Sequence, residues 1–135
     1  MSDSENEKHR LNALSNRVIG AALRVHEEIG PGMLESACEA CLMFELLEQG
    51  MRVEREKALP LFYRGQRLDC GYRIDLLVEN ELIVEVKSVE RLEPVHIAQL
   101  RSYLGFSKLK LGLLINFNVR SLRQGIRRIV NGFPD

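Results

Sequence analysis

Asp75, Glu85 and Lys87 are residues whose types and spacing suit chemistry, and they lie close together in the chain. The segment reads Tyr72-Arg73-Ile74-Asp75-Leu76-Leu77-Val78-Glu79-Asn80-Glu81-Leu82-Ile83-Val84-Glu85-Val86-Lys87, two apolar runs around a polar tip at Glu79 to Glu81. That pattern predicts strand, turn and strand. With the tip centred on Asn80, Asp75 and Glu85 stand opposite each other, and alternation puts Lys87 on the face of Glu85. Carboxylates are hard ligands suited to Mg²⁺ or Mn²⁺, with the Val86 carbonyl as a further donor. Such an ion polarises a phosphoryl oxygen and lowers the pKa of its bound water. A neighbouring lysine orients hydroxide or offsets charge building on the phosphoryl group. This is the chemistry of phosphodiester hydrolysis. The competing reading is a set of solvated charges on the open face of a hairpin, because D…ExK strings are common.

Other residues could join this group from helices. Glu35 falls at the apolar edge of a predicted helix, where a carboxylate is costly to desolvate unless paired or metal-bound. It could equally be a first-turn glutamate that complements the helix dipole. Gln99 and Tyr103 are one helical turn apart, so Gln99 could hold the lysine or a phosphate oxygen while Tyr103 closes one side of a cleft. A half-buried amide and a core-edge tyrosine are the alternative. His96 and His26 are read as structural. Cys38 and Cys41 form a C-x-x-C, but only Cys70 remains as a further thiol, too few for a four-cysteine metal site. Both fall on an apolar helix stripe and are read as buried, inert thiols. No Walker, dinucleotide-binding or nucleophile-elbow pattern occurs.

The elements that must position these residues follow from periodicity. Residues 1–13 are polar and predict a flexible N-terminal arm, leaving 14–135 as a single domain. Leu14, Val18, Ala22, Val25 and Ile29 recur at helical spacing until Gly30-Pro31-Gly32. A second helix is predicted over 33–49, with Gly50 placed to cap it. Arg52 to Lys57 alternates charge and predicts an edge strand, and Arg64-Gly65 predicts a turn between strand-like runs. The Asp75–Glu85 hairpin comes next. Pro94 then suits the first position of a helix reaching about Gly105, Lys110 to Asn116 a buried strand, and Val119 to Asn131 a final helix. The class is α/β or α+β with a mixed sheet.

Bulk composition narrows the function classes. The 19 basic and 19 acidic residues cancel, which disfavours an avid, non-specific DNA binder yet leaves a local acidic metal site open. No apolar stretch is long enough for a membrane span and the polar start is no signal peptide, so the cytoplasm is the expected location.

Five segments in order resemble the GxxExxY family of the PD-(D/E)XK nuclease superfamily. They are Gly32-Met33-Leu34-Glu35-Ser36-Ala37-Cys38, Gly71-Tyr72-Arg73-Ile74-Asp75-Leu76-Leu77-Val78, Glu85-Val86-Lys87, Pro94-Val95-His96-x-x-Gln99-Leu100-x-x-Tyr103-Leu104 and Leu111-Gly112-Leu113-Leu114-Ile115-Asn116-Phe117. The resemblance implies a restriction-endonuclease-like core ordered helix, three-strand meander, helix, strand, helix. It implies Glu35 as the helix acid, Asp75 and Glu85 as metal ligands with Glu35, Lys87 as the catalytic lysine, and Gln99 as the glutamine of the following helix. Mg²⁺ or Mn²⁺ and a nucleic-acid substrate, DNA or RNA, come with it. Cys38 stands where the family motif ends in tyrosine. The expected function is a divalent-metal-dependent nuclease. The alternative is a non-catalytic binding or scaffold protein that keeps the fold. A homodimer joined through Arg52 to Lys57 is a third option, opposed by that segment's charges.

Overall fold

The computed structural model describes residues 2–134. Helix α1 spans Asp3–Ile29 and buries Leu11, Leu14, Val18, Ala21, Ala22 and Val25 along one stripe. The Ser2 hydroxyl accepts the Glu5 N–H at 3.1 Å, and Asp3 and Glu5 sit favourably in the first turn. The arm expected over residues 1–13 is therefore helical from Asp3 onward, and Met1 lies outside the described residues. Leu11 continues the apolar stripe one turn upstream of Leu14. The same turns are held by Arg10–Glu81 at 2.6 Å and Lys110–Glu7 at 2.7 Å. The helix stops at Gly30, whose φ of 66° few other residues adopt.

Helix α2, Glu35–Glu48, lies against α1 and turns off at Gly50. The strands are β1 (Val53–Ala58), β2 (Leu61–Tyr63), β3 (Gln66–Leu68), β4 (Arg73–Val78), β5 (Leu82–Lys87), β6 (Leu111–Asn116) and β7 (Ile126–Val130), with α3 (Pro94–Ser107) between β5 and β6. Five of them form one sheet in the order β1-β4-β5-β6-β7, and β2 and β3 form a separate hairpin. The β1-β4-β5 meander is antiparallel, β5 and β6 run parallel across the α3 crossover, and β7 returns antiparallel. This is a mixed α/β fold with helices flanking the sheet, as the sequence predicts, and β1 is indeed an edge strand.

Each face of the sheet carries its own core. Leu82, Val84 and Val86 point to the α1–α2 side, whereas Ile83 packs with Leu100, Tyr103 and Leu104 of α3. Alternation therefore assigns Glu85 and Lys87 to the α3 side. Gly112 lets α3 approach closely: a Cβ there would lie 2.9 Å from Leu100 Cδ1.

The final helix expected over Val119 to Asn131 does not form. Leu122–Gly125 is a short 3₁₀ turn and Ile126–Val130 is a strand on β6. Ile126 and Ile129 mimic helical spacing, yet they pack on opposite faces of the sheet, as residues three apart on a strand must. The open edge of β6 offers a full ladder of backbone partners, and β-branched side chains suit it.

Candidate metal centre

The β4–β5 hairpin turns at Glu79 and Asn80, both left-handed with φ of 54° and 57°. This is type I′ geometry, matched to the twist of the strands. The register pairs Val78 with Leu82, Leu77 with Ile83 and Leu76 with Val84, so the next pair in line is Asp75 and Glu85. There the side chains take over the ladder. The Asp75 N–H donates to Glu85 Oε2 at 2.9 Å, and the Val86 N–H donates to Asp75 Oδ2 at 2.8 Å. Each carboxylate is thus fixed by the other strand's backbone. Ile74 and Leu77, three residues apart, both pack beneath α3, so the alternation of β4 breaks at Asp75.

On its other side Asp75 faces β1. Glu56 falls at the register position opposite Asp75 and has φ of 54°, a left-handed conformation inside a strand. Such backbone is costly for a non-glycine residue and recurs at functional sites. It frees two successive side chains to turn the same way. Arg55 Nε donates to Glu39 Oε1 of α2 at 3.1 Å, and the Glu56 carboxylate lies beside that same carboxyl. Oxygens of Glu39, Glu56 and Asp75 all lie within 4.8 Å of one another.

This crowding shifts the carboxyls toward their protonated forms. Burial, then Asp75, push the Glu85 carboxyl up to about 8. Burial, then the hydrogen bond its protonated carboxyl gives to Glu56 and the charge of Asp75, raise Glu39 to about 7. Asp75 is raised by burial and the charges of Glu56 and Glu35, although the Val86 N–H and Lys87 act against it. The Lys87 ammonium lowers both Asp75 and Glu85 without outweighing their burial. It forms no ion pair among the described residues. Converging hard oxygens with an excess of negative charge fit a divalent cation of the Mg²⁺ type.

Of the acids expected from the sequence, Asp75 and Glu85 meet. Glu35 is exposed in the first turn of α2, and the α2 carboxylate placed against Asp75 is Glu39, one turn further along the same side. Glu39 is only 7% exposed, and its helical spacing to the buried Leu42 and Leu46 is a sequence signal that marks its side of α2 as inward without separating it from Glu35. Glu56 had no such signal, because its direction depends on a backbone conformation. Gln99 and Tyr103 line a cavity on the α3 side next to Tyr72. Cys38 is wholly buried in the core.

Loops hold the helices in place around these groups. Ser88 Oγ donates to the Met33 carbonyl at 2.5 Å, and the Gly32 N–H donates to Asn118 Oδ1 at 2.9 Å. The buried Asn116 amide accepts from Val89 N–H and donates to its carbonyl, fixing the chain that leaves Lys87. His96 and His26 serve structure: the first accepts the Glu93 N–H at the start of α3, and the second bonds the Val119 carbonyl at 2.7 Å.

A family model described as the PD-(D/E)XK nuclease superfamily matches residues 12–129. No curated protein and no solved structure gives a significant match.

Proposed function

The chain belongs to the PD-(D/E)XK nuclease superfamily, and on that premise we propose that it hydrolyses phosphodiester bonds in nucleic acid with Mg²⁺ or Mn²⁺. Within the superfamily we assign it to the GxxExxY group, on the Gly32-to-Cys38 motif and the four segments after it. The observation that carries the proposal is the convergence of Glu39, Glu56 and Asp75 oxygens within 4.8 Å, with Glu85 bonded to the Asp75 backbone. Asp75, Glu39 and Glu56 would hold the ion, with Glu85 alongside. A bound divalent ion supplies Lewis-acid polarisation of the phosphoryl oxygen and a water of lowered pKa. The chain's own contribution is preorganisation. Reciprocal N–H bonds fix Asp75 and Glu85, and Arg55 fixes Glu39, so these three carboxylates are held in place before substrate arrives. Lys87, one strand step beyond Glu85 on the same face, offsets charge gathering on the phosphoryl group. Glu35 adds negative potential from the rim, and Gln99 positions substrate beside Tyr103.

The test is cleavage of DNA and RNA by purified protein with each metal. Asp75→Ala and Lys87→Ala should each lower the rate by about 10²-fold or more. Activity that survives both substitutions overturns the proposal. A non-catalytic role keeps one observation in its favour: Cys38, where the motif has tyrosine, is a core thiol with no hydroxyl to offer the site. Calorimetry separates the two, since a scaffold would bind neither Mg²⁺ nor Mn²⁺ at millimolar concentration. No helix among the described residues is long and apolar enough to cross a membrane, and we place the activity in the cytoplasm.

A further inference from the structure

A cavity of about 330 Å³ opens between α3 and the chain entering β4, on the face of the sheet that carries Glu85 and Lys87. Leu61 and Tyr72 wall one side, and Gln99, Ser102, Tyr103 and Phe106 of α3 wall the other. Its size falls at the small end of ligand sites, about 300–1,000 Å³. Tyr72 meets Tyr103 edge-on, with ring centroids 5.9 Å apart at 67°, and stays 44% exposed. The cavity is therefore mostly apolar, with an aromatic face available and an amide and a hydroxyl to bond a polar edge. Tyr103 joins it to the metal centre: it lines the cavity and shares a core cluster with Ile74, the residue before Asp75, and Ile83, two before Glu85.

A second feature adjoins it. The β2–β3 hairpin, whose Leu61 lines the cavity, stands apart from the main sheet and turns at Arg64 and Gly65, both left-handed. It exposes Phe62 and Tyr63, and Phe62 pairs with Arg67 across the strands. Aromatic faces interleaved with guanidinium groups are what unpaired bases and their phosphates require. Glu54, Glu56 and the other acids leave the chain without the net positive charge that drives non-specific duplex binding.

Resting on the nuclease reading, we propose that this cavity receives an unstacked base of the substrate strand, while the β2–β3 hairpin holds neighbouring nucleotides. The substrate is then single-stranded or locally unpaired nucleic acid. A base inside a duplex is stacked on both faces and cannot enter such a cavity without being extruded.

The experiment measures fluorescence anisotropy of labelled oligonucleotides, single-stranded and blunt duplex, in DNA and RNA, with Asp75→Ala protein that binds without cutting. Single strands should bind about tenfold or more tightly than duplex of the same sequence, the scale of one base–aromatic stack. Adding Ala98→Phe, which fills the cavity from α3, should weaken single-strand binding by about tenfold. Tyr72→Leu, which removes the ring without crowding α3, should do the same and decides the matter if Ala98→Phe lowers the thermal midpoint. Equal affinity for duplex, absence of single-strand binding, or retention by both variants overturns the proposal. Single-strand preference without any cleavage by the unmodified protein overturns the nuclease reading and leaves the base site standing. Cleavage of duplex at the single-strand rate, unchanged by Ala98→Phe, overturns the base site alone.

Discussion

At Asp75 and Glu85 the hairpin gives up backbone pairing for two carboxylate-to-N–H bonds, and this exchange has a cost that pH exposes. Glu85 and Glu39 have folded pKa values of about 8 and about 7 against an ordinary 4.5. The folded state therefore holds their protons longer than the unfolded chain. Their contribution to stability is full below about pH 4.5 and is lost as pH rises to about 8. Metal-free protein should melt lower at pH 8 than at pH 4.5, checked by a thermal scan across that window. Glu85→Gln keeps the acceptor for the Asp75 N–H while removing the buried charge. It should raise the metal-free midpoint at pH 8 by about 5 °C or more. The same variant should lose metal-dependent cleavage, so stability and activity move in opposite directions. Glu39→Ala should weaken Mn²⁺ binding by about tenfold or more in calorimetry, with Glu35→Ala weaker in effect because its carboxylate sits at the rim.

At the scale of elements, two glycines set how closely neighbours approach. A Cβ at Gly112 would meet Leu100 Cδ1 at 2.9 Å, the tip of a side chain able to shift slightly. A Cβ at Gly125 would run into the Asn116 carbonyl, which is held within β6 and cannot yield. Gly112→Ala should therefore cost about 1–3 kcal/mol in urea denaturation, and Gly125→Ala more. Gly125 also marks where the chain departs from the predicted last helix. Its close approach to Asn116 brings Ile126 into register beside Ile115, and strand pairing wins over helical spacing. At the other end, Leu11 and the Arg10–Glu81 and Lys110–Glu7 pairs extend α1 over residues whose polarity alone suggests an arm.

For the whole molecule, a divalent ion held by the excess acid at one end of the sheet would couple metal binding to folding. A divalent ion that binds only the folded state at a hundred times its Kd adds about 2.7 kcal/mol. Mg²⁺ or Mn²⁺ should raise the thermal midpoint at pH 8, and Asp75→Ala should remove that rise. The outer edge of β1 carries Glu54 and Lys57, paired to each other at 2.8 Å. Charge on an edge strand discourages pairing between chains. Light scattering should give the mass of a single chain, and a dimer mass would return β1 to consideration as a shared edge.

Residue types and periods near in sequence settled a large part of this protein. The hairpin centred on Asn80 follows from two apolar runs and a polar tip, since strand alternation and turn chemistry act over a few residues. So does the bringing together of Asp75 and Glu85, and the ordering of α2, β4, β5, α3 and β6. Only the tertiary structure decided which helix acid meets Asp75, because Glu35 and Glu39 share one side of α2 and the docking depth of that helix chooses between them. Only it could bring in Glu56, an exposed residue whose carboxylate reaches Glu39 and Asp75 from a left-handed backbone. Only it could make 126–130 a strand, because the free edge of β6 is a partner that no local pattern contains. Spacing dictates what a segment can do by itself, and packing selects among the faces, depths and edges that spacing leaves equivalent.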